Sequence, residues 1–124
     1  MNLVKLDYNS NQLLINLRYQ SFDNVFGEVL YSEDFEAKLH PDAFICFEKA
    51  MQIAKEENLM FKVWDAYRPF NIQQMMFELS DESPYISDPA TGSVPHCRGV
   101  AIDLTLCDMG VLELDINKKL KYFT

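Results

Sequence analysis

A histidine and an aspartate stand seven residues apart in Pro95-His96-Cys97-Arg98-Gly99-Val100-Ala101-Ile102-Asp103-Leu104-Thr105-Leu106. The segment opens as a polar turn and becomes an apolar, β-prone run, with His96 at its mouth and Asp103 buried in its middle. Gly99 gives the backbone freedom to swing from loop into strand. Read as a strand from Val100 onward, the run puts Ala101, Asp103 and Thr105 on one face and Ile102, Leu104 and Leu106 on the other. The aliphatic face suits a core, and the small polar face suits the wall of a site. A carboxylate among buried aliphatics is costly unless it is paired or binds a metal, and histidine nitrogen with carboxylate oxygen is ordinary zinc chemistry. Two readings without a metal stay open: Asp103 caps a turn or pairs with an arginine, and His96 is a polar loop residue.

A second segment, Val63-Trp64-Asp65-Ala66-Tyr67-Arg68-Pro69, changes the balance. Together the two segments resemble the zinc D-alanyl-D-alanine dipeptidases, the VanX-like branch of the D-Ala-D-Ala metallopeptidases. That family carries an Asp-x-Tyr-Arg-Pro segment, which stands here as Asp65-Ala66-Tyr67-Arg68-Pro69. Its later Ser-x-His-x-x-Gly-x-Ala-x-Asp segment stands here from Val94 to Asp103, with Val94 in place of the serine. Asn16-Leu17-Arg18-Tyr19, with Asp23-Asn24 after it, also looks like the family's N-terminal region.

The resemblance implies one Zn2+ site with His96 and Asp103 as two of its ligands, and Arg68 as the group that stabilises the oxyanion of the transition state. Arg68 has the chemistry for this, being permanently charged, forked and unable to act as a base. A structural ion pair with Asp65 is the alternative, and Asp65 is read as orienting Arg68 rather than touching substrate. The implied substrate is the D-Ala-D-Ala dipeptide, cleaved by a metallopeptidase acting on peptidoglycan precursors. The family's third ligand, a histidine, and its base, a glutamate, belong to a Glu-x-x-His-type segment for which this chain has no match. His40, before Pro41, reads as a helix cap or surface residue. From 111 to 124 the chain diverges from the family pattern, so the expectation is a partial domain, cut short, with an incomplete zinc site. Three outcomes follow from that expectation: a remnant with little or no activity, an enzyme completed by a second chain carrying the glutamate and histidine, or a non-catalytic module that binds metal or D-amino acid.

The bulk composition agrees with one globular domain over the 124 residues. A hydrophobic fraction of 48% with nine Phe, six Tyr and one Trp argues against disorder. A net charge of −8 argues against nucleic acid and anionic membrane surfaces as partners. Cys46, Cys97 and Cys107 cannot all pair and show no CxxC spacing, the usage of a reducing compartment. Residues 1–12 lack the apolar stretch of a signal peptide, so a cytoplasmic protein is expected.

The elements that must carry the site can be read with varying sharpness. Residues 3–6 and 13–17 read as short strands about a turn at 8–11, and 28–31 as a further strand. Pro41 opens a helix through roughly Lys55, its apolar stripe formed by Phe44, Phe47, Met51 and Ala54. The strand at 59–64 delivers Asp65 and Arg68 at its C-terminal end. Pro69 opens a second helix over 70–79, with Phe70, Gln73, Gln74 and Phe77 on one side and Met75-Met76 read as gap-filling core. Residues 80–95 form a long Pro- and Gly-containing loop leading into His96, either a flap beside the site or a plain surface loop. The fold class is α+β, an antiparallel-rich sheet with packed helices.

Overall fold

The computed structural model describes residues 2–6, 13–81 and 83–108. The turn expected at 8–11 and the divergent 111–124 segment lie outside them. Seven regular elements run in the order β1 (Val4–Lys5), β2 (Leu13–Ile15), β3 (Lys38–Leu39), α1 (Pro41–Glu56), β4 (Leu59–Asp65), α2 (Phe70–Leu79) and β5 (Asp103–Asp108), with single 3-10 turns at Arg18–Gln20 and Pro95–Arg98. The class is α+β. β1 and β3 form a small antiparallel ladder, while β4 lies in the middle of a second sheet, parallel to β2 on one side and antiparallel to β5 on the other.

β4 is central because its sequence allows burial on both faces. Phe61 and Val63 meet Leu106 and Leu104 across the ladder, and Met60 meets Cys107 on the reverse side. Helix α1 covers the first face, its Phe47 ring lying 5.5 Å from that of Phe61. Pro41 stands at its first turn, and the Nδ1 of His40 accepts a hydrogen bond from the Asp42 amide at 3.1 Å, so His40 is the cap. Asn58, with φ of 57°, ends the helix in the left-handed conformation that asparagine tolerates and turns the chain directly into β4. The expected stripe of α1 is the buried or half-buried one: Phe47 and Ala54 are buried, with Phe44 and Met51 packed against the core.

Four expectations need correction. The strand containing Asp103 begins at Asp103, not Val100, because β4 ends at Asp65, opposite Asp103, and the Val100 amide donates back to Pro95 instead of into the ladder. Asp103 therefore stands at the mouth of the strand with its side chain 49% exposed, not buried in its middle. Residues 28–31 make no strand: the amides of Leu30 and Tyr31 both donate to the carbonyl of Tyr19. In α2 the buried residues are Ile72, Gln73 and Met76, while Phe70 is exposed; of the methionine pair only Met76 fills the core, and Met75 is exposed.

One irregularity decides the site. Val63 pairs with Leu104 and Asp65 with Asp103, so β4 fits the extra residue Trp64 opposite a single residue of β5. Strict alternation would send the Asp65 side chain to the same face as Val63, away from Asp103. The bulge breaks the alternation and brings Asp65 and Asp103 to one cavity wall, a re-aiming that bulges commonly perform beside functional sites.

Candidate functional site

Four sequence-predicted residues converge where β4, the 95–98 turn and β5 meet. The Nε2 of His96 lies 3.4 Å from Oδ1 of Asp103. The Nη2 of Arg68 lies 2.7 Å from Oδ2 of Asp65 and 3.8 Å from Oδ2 of Asp103. Asp65, His96 and Asp103 each bring a potential ligand atom within 4.8 Å of the others.

The Asp65-Ala66-Tyr67-Arg68 turn assembles the site through its backbone as well as its side chains. The Nδ1 of His96 lies 2.8 Å from the Ala66 carbonyl oxygen, and the Arg68 amide donates to the His96 carbonyl at 3.0 Å. The Tyr67 amide donates to Lys38 in β3, anchoring the turn from behind. Gly99, with φ of 74°, turns the chain after the histidine. A Cβ there would sit 2.8 Å from the His40 nitrogen and 2.9 Å from a Leu3 methyl, so only glycine fits. His40 touches this region through its backbone and caps α1 with its ring, so it is not brought into the site.

Asp65 and Arg68 are both buried, at 1% and 6% exposure. Each oxygen of Asp65 is committed: Oδ1 accepts from the Tyr31 hydroxyl at 2.6 Å, and Oδ2 accepts from both Nε and Nη2 of Arg68. Burial pushes the Asp65 carboxyl above the ordinary aspartate value, with Arg68 and Tyr31 holding it back. Burial and the same carboxylate push the Tyr31 hydroxyl far up, so it stays a donor. Asp65 thus balances Arg68, and Asp103 is left as the carboxylate facing a histidine.

Tetrahedral zinc with bonds of about 2.0–2.2 Å to nitrogen and oxygen holds two ligand atoms roughly 3.4 Å apart. That is the His96–Asp103 separation. The Ala66 carbonyl can only accept, so Nδ1 carries the hydrogen and Nε2 turns its lone pair toward Asp103, the usual outer support of a metal-binding histidine. Asp65, with both oxygens engaged, is the weakest of the three as a ligand. The residues fit two ligands of a zinc site, and the described residues bring no second histidine and no glutamate to it as further ligands.

Two cavities flank Asp103. The smaller, about 200 Å³, is walled by Tyr19, Arg68, Gln73, His96 and the loop residues Tyr85, Ile86, Ser87 and Val94. The other, about 510 Å³, runs past Asp65 and Trp64 to Arg18, whose guanidinium lies 5.0 Å from the Trp64 ring centroid. Residues of the 80–95 loop therefore border the site.

A family model described as D-Ala-D-Ala dipeptidase matches residues 1–116, nearly the whole chain. The chain belongs to the D-Ala-D-Ala dipeptidase family. The D-alanyl-D-alanine dipeptidase of Escherichia coli (strain K12) is 38% identical over 96 residues, covering 77% of this chain and 49% of that protein. The chain thus spans about half the length of this curated relative. The D-Ala-D-Ala dipeptidases are zinc-dependent, in keeping with the donor set at His96 and Asp103. Among the described residues, no helix is long and apolar enough to cross a membrane.

Sequence reasoning missed Tyr31, names Tyr19 only within the stretch that looks like the family's N-terminal region, and reads Gln73 only as part of a helix face. Tyr31 ends the 28–31 run, which by its sequence reads as a strand and gives the hydroxyl no visible partner. Its ring stacks on Phe35 at 4.1 Å and meets Tyr19 edge-on at 5.9 Å, a cluster that only the folded 18–37 segment creates.

Proposed function

We propose that this chain binds zinc between His96 and Asp103 and offers that site to D-alanyl-D-alanine, with hydrolysis weak or absent in the chain alone. The observation that carries the reading is the 3.4 Å approach of His96 Nε2 to Asp103 Oδ1, with the ring fixed from behind by Ala66. Zinc bound there would polarise a substrate carbonyl and lower the pKa of water toward neutrality.

The chain's own residues do the rest. Arg68, buried and always charged, presents a remaining Nη2 hydrogen on the Asp103 side, where it can donate to a carbonyl oxygen that gains charge in the transition state. Asp65 orients it. A cavity of about 200 Å³ is smaller than the roughly 300–1,000 Å³ of pockets for drug-sized ligands and suits a substrate as small as a dipeptide. Weak turnover follows from the donor count. Among the described residues there are two ligands rather than three, and Asp65 is too engaged to serve as a base. The same count favours a second reading, a module that binds metal or D-amino acid without turnover.

The test is release of D-alanine from D-alanyl-D-alanine by the folded chain with added zinc, beside a His96→Ala control. Slow release abolished by the control supports the first reading. Binding without release supports the second. Rapid turnover would mean that a third ligand and a base exist beyond those described.

A further inference from the structure

Arg68 is gripped from two sides, and the second grip comes from a residue outside both motifs. Its Nε and Nη2 donate to a single oxygen of Asp65, at 3.1 and 2.7 Å, because Tyr31 occupies the other. A guanidinium paired to both oxygens of a carboxylate is fixed in its plane by a parallel fork. One paired to a single oxygen retains freedom to swing about it. That swing is blocked by Gln73, whose Oε1 accepts from Arg68 Nη1 at 2.8 Å.

Gln73 lies in α2 at 3% exposure, and the other end of its amide is equally committed. Its Nε2 donates to the Ser87 carbonyl at 2.9 Å. Ser87, with Ile86 and Val94, walls the cavity that Arg68 and His96 share. One buried amide therefore ties the guanidinium to the wall opposite it.

We propose that Gln73 is a positioning residue for the reaction at this site. It holds the Arg68 plane so that Nη2 faces Asp103, and it sets the 85–87 wall against a bound dipeptide. The proposal rests on the reading of Arg68 as the donor to a substrate oxygen. It deepens that reading by naming what aims the donor and shapes the subsite.

The amide's two ends can be separated by substitution. Gln73→Glu keeps an acceptor for Arg68 but replaces the donor to Ser87 with a second acceptor, whereas Gln73→Leu removes both. In the full chain, nitrogen-15 NMR follows hydrogen exchange at Arg68 Nε and at the amides of 85–94. Zinc affinity and D-alanyl-D-alanine affinity are measured alongside. In Gln73→Leu we expect Arg68 Nε–H exchange to quicken on the order of tenfold, the factor for losing one hydrogen bond to a charged group. In Gln73→Glu it stays at the wild-type rate, while the 85–94 amides exchange faster in both variants. Zinc affinity stays within about twofold, since Gln73 touches neither ligand, and dipeptide affinity falls in both.

Unchanged 85–94 exchange in Gln73→Glu overturns the proposal, and this variant decides the matter even where Gln73→Leu fails to fold. Unchanged dipeptide affinity in variants of a wild type that binds dipeptide also overturns it, leaving Gln73 merely structural. A wild type that binds neither zinc nor dipeptide defeats the functional reading instead, and the exchange pattern still judges whether Gln73 holds Arg68.

Discussion

The Nδ1 of His96 lies 2.8 Å from the carbonyl oxygen of Ala66, thirty residues earlier in the chain. The contact joins the two motif segments and decides which ring nitrogen is free. Zinc binding at His96 would then compete with protons for that nitrogen. Burial of the ring works against its charged form, but the Asp103 carboxylate and the Ala66 carbonyl outweigh this and raise its pKa above the ordinary 6.5. Burial pushes the Asp103 carboxyl up, but His96 and Arg68 outweigh it and hold the group below the ordinary value.

A raised folded-state pKa at His96 contributes stability that is full below about pH 6.5 and lost as pH rises through the folded value. A lowered pKa at Asp103 contributes stability that is present above about pH 3.9 and lost as pH falls through the folded value. Without metal, the melting temperature should therefore fall as pH rises above about 6.5, and His96→Gln should flatten that fall. Zinc needs the neutral ring, so its stabilising shift should be larger at the higher pH. Thermal melts with and without zinc check both. An unchanged pH profile in His96→Gln would contradict the assignment.

Asp65→Asn should be among the most destabilising single changes to the site. It leaves Arg68 buried without its close counter-charge, a loss of about 3–5 kcal/mol for a broken buried pair, and urea unfolding measures it. Tyr31→Phe removes only the donor to Oδ1 and should cost about 1–3 kcal/mol. A loss for Asp65→Asn no larger than that for Tyr31→Phe would mean that Arg68 is held by Gln73 and Asp103 alone.

Gly99→Ala tests the turn that sets His96. The left-handed backbone there costs a non-glycine residue about 1–2 kcal/mol, and the added methyl meets the His40 backbone nitrogen at 2.8 Å. The expected result is a lower melting temperature together with weakened zinc binding, because relief of the clash moves the 95–98 turn away from Ala66. Zinc affinity equal to wild type in a folded Gly99→Ala protein would show that the turn is not what aims His96.

How far the sequence spoke depended on how local the signal was. Pro41 and the Phe47–Ala54 stripe placed α1 because capping and periodicity lie within one element. The convergence of Asp65, Arg68, His96 and Asp103 was legible through two ordered motifs. What stayed hidden depends on distant partners. The extra residue at Trp64, which turns Asp65 toward Asp103, exists only in register with β5. Two-residue β3 is too short to carry any periodicity. Tyr31 and Gln73 looked like ordinary members of apolar stretches, and their polar ends acquired meaning only when Asp65, Arg68 and Ser87 came within hydrogen-bonding reach.

The most direct test is a zinc titration of the chain by competition with a chromophoric chelator, on wild type, His96→Ala and Asp103→Asn. Loss of an outer support to a zinc ligand costs about 10–100-fold in affinity, so loss of a ligand itself should cost at least that. The expected result is one site in the wild type, weakened by about 100-fold or more in each variant, with all three proteins folded. Zinc bound equally well by the variants, or not bound at all by the folded wild type, would contradict a metal centre at His96 and Asp103.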